Sequence, residues 1–138
     1  MAGAPAELIK RVPLFADLDG KELAQVAGFF KERDFAAGEK LIGEDAGPSR
    51  FFVIGEGSVL VSAHGEDRAH LGRGDFFGEI ALIDGGVRTA TVTAETDLKV
   101  YTLTLWEFRP LVDQSSAIAW KLLEALARRI RDLEARSG

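Results

Sequence analysis

From Phe35 to about Leu105 the chain is a succession of short runs of β-branched and aromatic residues broken by Gly, Asp and Pro, and this punctuation constrains the fold more than any other feature. Phe51-Phe52-Val53-Ile54, Val59-Leu60-Val61, Ala69-His70-Leu71 and Leu98 to Leu103 have strand length, with reversals between them such as Gly65-Glu66-Asp67. Many short strands can hide their apolar faces only by closing on one another as a sandwich or barrel. Helical patterns flank this region. Ala6 to Arg11 reads as a short helical turn stopped by Pro13. Asp19 with Glu22 three residues on makes a capping-box pattern for a second helix, whose Leu23, Val26, Ala27 and Phe30 share one face. From Trp106 the pattern is helical again, with a break near Asp113 to Ser116 whose hydroxyls can cap a final helix. The expectation is a mainly β fold with flanking helices in a single domain over 1–138: N-terminal helices over 1–34, strands over 35–105, C-terminal helices over 106–138.

Charge and composition narrow the function. With 17 basic against 22 acidic residues the net charge is -5, which opposes nonspecific attraction to nucleic acid or anionic lipid. The absence of cysteine excludes disulfides and thiol chemistry. His64 and His70 are the only histidines and stand across an expected turn, so a metal-dependent cupin enzyme on a similar barrel would lack its histidine cluster. No stretch approaches the roughly 18 apolar residues of a membrane span, and the N-terminus has no signal-peptide core. The chain is expected to be cytoplasmic, with no metal, no cofactor, no catalytic residues, and no direct nucleic-acid or membrane partner.

The chemistry concentrates in the segment from Phe76 to Val92, FFGEIALIDGGVRTATV. Gly78 and Glu79 close a strand-like stretch, Ile80 to Ile83 can make a helical turn, and Gly85-Gly86 let the chain reverse into Val87, Arg88 and Thr89. The free amides of a short helical turn attract an anion, and the Arg88 guanidinium, returning nine residues after Glu79, can fork onto its oxygens. An ionised Glu79 is acceptor-only and repels a phosphate, so it calls for hydroxyl donors such as those of a ribose. Phosphate and sugar hydroxyl together describe a nucleotide. Taken singly, Glu79 and Arg88 read equally as a surface ion pair, and the glycines as ordinary turn residues; it is their spacing that turns the reading toward a ligand.

The segment resembles the phosphate-binding cassette of cyclic nucleotide-binding domains, the module of bacterial cAMP receptors, kinase regulatory subunits and cyclic nucleotide-gated channels. The likeness runs from about Leu14 to the end of the chain. Ala37-Gly38-Glu39 with Leu41-Ile42 and Glu44-Asp45-Ala46-Gly47 is similar to the family's first strands, Phe51 to Ile54 with Gly57-Ser58-Val59 to its central hairpin, and Gly72-Arg73-Gly74-Asp75 to its approach to the cassette. The resemblance implies a jelly-roll β-helix. It implies that Glu79 and the Gly78 amide hold the ribose 2′-hydroxyl, that the Ala81 and Ala90 amides and Arg88 hold the cyclic phosphate, and that Thr89 reaches phosphate or base. Ile80 lies in the turn presenting these amides. Where some members have proline before the arginine this chain has Val87, which frees the turn without removing a polar contact. Thr89 permits cGMP without selecting it, and analogy with bacterial receptors favours cAMP. Val61, Leu71 and a residue of the last helix would meet the base.

That helix, SAIAWKLLEALARRIRDLEAR from Ser116 to Arg136, carries Leu123, Leu126, Ile130 and Leu133 at 3-4-3 spacing, extended by Ile118 and Leu122. About 20 residues of helix are marginal alone in water, so the stripe needs the β-domain, a ligand or a second copy to cover it. Trp120 lies beside the stripe and reads either as a lid over a purine or as a core aromatic; Arg128, Arg129 and Arg131 read as a solvated face. The resemblance implies a sensor that switches this helix on binding a cyclic purine nucleotide, as a homodimer through the helix or with an effector protein. The alternatives are a transcription factor lacking its helix-turn-helix domain, and a degenerate domain that binds only protein. The degenerate domain would be marked by loss of the arginine or the acid, and both are present.

Overall fold

Two helix starts follow directly from local chemistry. In the computed structural model, which describes residues 3–42, 50–78 and 91–137, α1 spans Ala6–Lys10 and is followed by a 3₁₀ turn over Pro13–Phe15 and by α2, Gly20–Phe29. The Asp19 side chain accepts from the Glu22 N–H at 2.8 Å while Glu22 Oε1 accepts from the Asp19 N–H at 3.0 Å, so the expected capping box forms. Further on, Thr104 and Glu107 make a second box at the start of α3, Leu105–Gln114, and the Ser115 hydroxyl accepts from the Ile118 N–H at 3.2 Å at the start of α4, Ser116–Ser137.

Between the helices the described residues form eight antiparallel strands: β1 Lys31–Phe35, β2 Lys40–Ile42, β3 Arg50–Glu56, β4 Val59–Ala63, β5 Glu66–Leu71, β6 Phe76–Phe77, β7 Thr91–Ala94 and β8 Leu98–Thr104. They form two four-stranded sheets, ordered β1-β8-β3-β6 and β2-β7-β4-β5. Among the described strands only β4 and β5 are successive strands that pair; every other step carries the chain from one sheet to the other, which is jelly-roll topology. The pairing of the β3 and β4 segments into a central hairpin is therefore corrected. β3 pairs with β8 and β6, β4 with β5 and β7, and Gly57 makes the corner between sheets at φ +89°. A Cβ there would stand 2.4 Å from the Asp97 carbonyl oxygen, so both the backbone angle and the space require glycine.

The sheet β1-β8-β3-β6 is apolar on both faces. Phe51 and Val53 of β3, with Tyr101 and Leu103 of β8, join Phe15, Phe30, Phe108, Ile118 and Leu122 in a core beneath the helices. The intervening Phe52, Ile54, Leu98 and Val100 join Val59, Val92 and Ala94 of the second sheet in a separate core. Phe51 stands within 6.1 Å, centroid to centroid, of the rings of Phe15, Phe30 and Phe76, and Phe52 stacks on Phe77 at 4.8 Å and 14°. Each fully buried phenyl contributes roughly 1.5–3 kcal/mol of transfer free energy, which makes this strand the centre of the stability.

α4 docks on the 3₁₀ turn and on α3, burying Ile118, Leu122 and Ala125. Lys121 Nζ reaches Glu22 of α2 at 2.5 Å, and Arg128 pairs with Asp17 while its side chain stays 55% exposed, in keeping with a solvated face. The opposite edge stays open: Ile130 and Leu133 are each 58% exposed and Leu123 54%.

Candidate functional site

Segment 79–90 holds six of the expected ligand-binding residues, Glu79, Ile80, Ala81, Arg88, Thr89 and Ala90, and all six lie outside the described residues. Its two anchors are described. At one end Phe77 pairs with Phe52 in the first sheet and Gly78 follows with φ +86°, a left-handed angle that glycine adopts without strain. At the other end Thr91 pairs with Ser62 in the second sheet. The two anchors thus lie in different sheets.

The approach to β6 is held firmly. Asp75 accepts the Gly72 N–H at 2.9 Å through its side chain, and its carbonyl accepts from the Ile54 N–H at 2.9 Å. Gly74 donates to the Ile54 carbonyl at 2.8 Å, and Arg73 donates to the Gly55 carbonyl at 2.9 Å. The first contact closes the turn and the other three fix it to the end of β3, so Gly78 leaves the sheet from a constrained point.

Val61 and Leu71 come together. The register Val59↔Leu71 and Val61↔Ala69 sets them diagonally on one face of β4 and β5, turned toward the inter-sheet core and half-buried at its edge. Leu41, Phe35 and Phe77 pack against the same inter-sheet core from other strands, Phe77 from β6. Phe77 went unnoticed in the sequence as a wall residue, although its alternation with Phe76, which faces the helices, is the period-2 signal that could have identified it. The result is a half-open apolar wall beside the anchors of an amide- and arginine-bearing segment, suited to an aromatic ring attached to a phosphate.

Trp120 is not brought to this wall. It is 66% exposed on α4, a helix whose principal contacts are with the 3₁₀ turn and α3 on the far side of the first sheet from Val61 and Leu71. His70 Nδ1 sits 2.7 Å from Glu95 Oε2, and His64 takes a left-handed turn position at φ 53°. Among the described residues no group of His, Asp or Glu is placed to hold a metal ion, and no helix is long and apolar enough to cross a membrane.

Comparisons with known proteins converge on one family. A model of the cyclic nucleotide-binding domain matches residues 32–115. The cAMP-dependent protein kinase regulatory subunit of Eremothecium gossypii is 36% identical over 107 residues, covering 77% of this chain and 23% of the relative. The cGMP-dependent 3′,5′-cGMP phosphodiesterase A of Dictyostelium discoideum is 30% identical over 110 residues, covering 80% of this chain and 13% of that protein. The chain thus spans less than a quarter of the length of these two curated relatives. Among solved structures, the N-terminal domain of a transcriptional regulator from Streptomyces coelicolor superposes with a TM-score of 0.84 at 34% identity, covering 91% of this chain and 94% of that one.

Proposed function

The chain belongs to the cyclic nucleotide-binding domain family, a regulatory binding module, and from that premise we propose that it is a cAMP-preferring sensor in which ligand binding repositions α4. The observation that carries this reading is the agreement between the family match and segment 78–90, whose Gly78, Glu79, Arg88 and Thr89 stand at the cassette positions between two strands anchored in different sheets. In it Arg88 and the amides of Ala81 and Ala90 neutralise the cyclic phosphate, Glu79 and the Gly78 amide take the ribose hydroxyl, Thr89 reaches phosphate or base, and Val61 and Leu71 support the base. The preference for cAMP draws on the higher identity to the cAMP-dependent relative, 36% against 30% for the cGMP-dependent one.

α4 is the proposed output. It rests on the 3₁₀ turn and α3 through three buried apolar residues and is tied by two ion pairs to Glu22 of α2 and Asp17 just before it, with a further apolar edge exposed. A ligand moves it only by contacting one arrangement better than another, which Trp120 closing over the base would provide. The uncovered edge, continuous with a groove of about 240 Å³ lined by Phe108, Val112, Leu122 and Leu126, suits a homodimer through α4 or an effector helix.

Calorimetric titration with cAMP and cGMP side by side tests the reading. The expected result is one site per chain, tighter for cAMP, with the nucleotide recovered unchanged. Neither heat nor a thermal shift with either nucleotide would sink it, and conversion to the linear monophosphate would overturn its non-enzymatic part. The likeness to the Streptomyces N-terminal domain favours a second reading, the sensory part of a transcriptional regulator.

A further inference from the structure

We propose that the chain carries a second anion site, distinct from the cyclic nucleotide cassette, in the cleft where Arg33 of β1, Arg50 of β3 and Thr102 of β8 converge, and that its ligand is a small molecule bearing a phosphoryl dianion. The cleft encloses about 500 Å³ and opens at the Lys31 end of the first sheet. Strand alternation puts these side chains on one face: Lys31 pairs with Thr102, Arg33 with Val100, and Arg50 with Thr104, all on the face turned toward the second sheet.

The polar groups of the cleft can be accounted for one by one. Glu107 is fully engaged, Oε1 accepting the Thr104 N–H at 3.0 Å and the Thr104 hydroxyl at 2.9 Å, and Oε2 meeting Lys31 Nζ at 3.0 Å. Burial works to raise its carboxyl, and the hydrogen bonds from Lys31 and Thr104 outweigh it, holding the group below its ordinary 4.5 and ionised. Glu32 borders the cleft, but it pairs with Tyr101 on the opposite face and reaches Lys99 at 4.0 Å. Lys31 and both carboxylates are therefore committed.

Two guanidinium groups and one hydroxyl remain. Arg33 lies over the Phe35 ring at 5.3 Å, which occupies its face and leaves its N–H edges free. Arg50 is half-buried with no carboxylate partner among the described residues, on a chain that has 22 acids for 17 bases. Thr102 is only 3% exposed, lines the cleft, and its hydroxyl has no hydrogen bond among the described residues. An unpaired half-buried cation and an unsatisfied buried hydroxyl are both unfavourable, and one oxyanion relieves both. One guanidinium fork satisfies a carboxylate; two forks and a hydroxyl donor match the three oxygens of a phosphoryl dianion. The open cleft of about 500 Å³ leaves room beside a phosphoryl group for the rest of a small molecule.

The test uses the full chain carrying Arg88→Ala, so that the cassette does not compete, with inorganic phosphate and pyrophosphate as probes followed by calorimetry and ³¹P line broadening. Saturable binding is expected, stronger for pyrophosphate. Arg50→Gln and Arg33→Gln should each weaken it by roughly tenfold or more, as expected for loss of a charge-assisted fork. In the parent chain the same two substitutions should leave cAMP affinity within about threefold, a difference near 0.7 kcal/mol. Unchanged phosphate affinity in both variants, or no saturable binding, would refute the site. So would affinity that appears only after Glu44 and Asp45, which precede Arg50 in the sequence, are neutralised, since the chain would then be supplying its own anion. Thermal melts of each variant check folding, and Arg50→Lys, which keeps the charge and loses the fork, should fall between parent and Arg50→Gln.

Discussion

Arg88 is the residue on which ligand affinity should turn, being the only side-chain cation between Phe76 and Val92. Losing one member of a desolvated charge pair typically costs about 2–5 kcal/mol, roughly 30-fold to several-thousand-fold in affinity. Calorimetry should therefore rank Arg88→Ala as the most severe loss, Arg88→Lys as intermediate because the fork goes and the charge stays, and Glu79→Gln as mildest because the amide still accepts from a hydroxyl. An Arg88→Ala chain binding cAMP within about threefold of the parent would mean the phosphate sits elsewhere. Glycines give a second test at this scale. Gly57→Ala meets both a left-handed angle and a backbone oxygen, and urea unfolding should show a loss of about 3 kcal/mol or more. Gly38→Ala has the angle, φ +92°, with open space around it, and should cost only about 1–2 kcal/mol. Residues of this kind are readable in the sequence when their roles depend on near neighbours, as in the Asp19–Glu22 box, an i, i+3 pattern. The pairing of Arg128 with Asp17, 111 positions away, is not readable in this way, since no periodicity carries information over that distance.

At the scale of elements, local pattern identifies the helices, most strands and the β4–β5 reversal, and misses the remaining pairings. β1 was expected to begin at Phe35 and begins at Lys31, because KERDF is an edge strand with four solvent-exposed residues and carries no apolar alternation to mark it. The Phe51 run reads as a buried strand from composition, but which strands flank it depends on the sheet-crossing connections, and these are set by the global closure of the roll. The docking of α4 carries a pH dependence. Hydrogen bonding from Lys121, then from the Asp19 N–H, holds the Glu22 carboxyl below its ordinary 4.5, and the same contact raises Lys121 above 10.5. The carboxylate's contribution is thus full above its unfolded value and is lost as pH falls through the lowered folded one; the ammonium's is full below 10.5 and is lost as pH rises through the raised value. Lys121→Met should flatten the fall in thermal midpoint between about pH 5 and about pH 3, and an unchanged slope would show that the pair contributes nothing. Motion of α4 has its own readout. In a Trp106→Phe background, Trp120 emission should shift to the blue and resist iodide quenching on cAMP addition if the ring leaves solvent, whereas constant emission would separate α4 from the ligand.

On the scale of the molecule, the exposed edge of α4 predicts association. Leu126 packs partly against the chain's own core, so the cleaner probes are Ile130→Lys and Leu133→Lys, which add charge where neither side chain is buried within the chain. Light scattering should report a dimer for the parent and a monomer for the double variant with an unchanged melting profile; a monomeric parent would assign the edge to another partner. The two-faced sheet has a different consequence. Phe51 and Phe52 are neighbours in sequence and belong to different cores, one under the helices and one against the second sheet. A substitution at Phe51 is therefore felt first beneath the helices, and one at Phe52 first between the sheets. A single strand thereby serves as a party wall, and the packing on either side of it can vary as a separate tenancy.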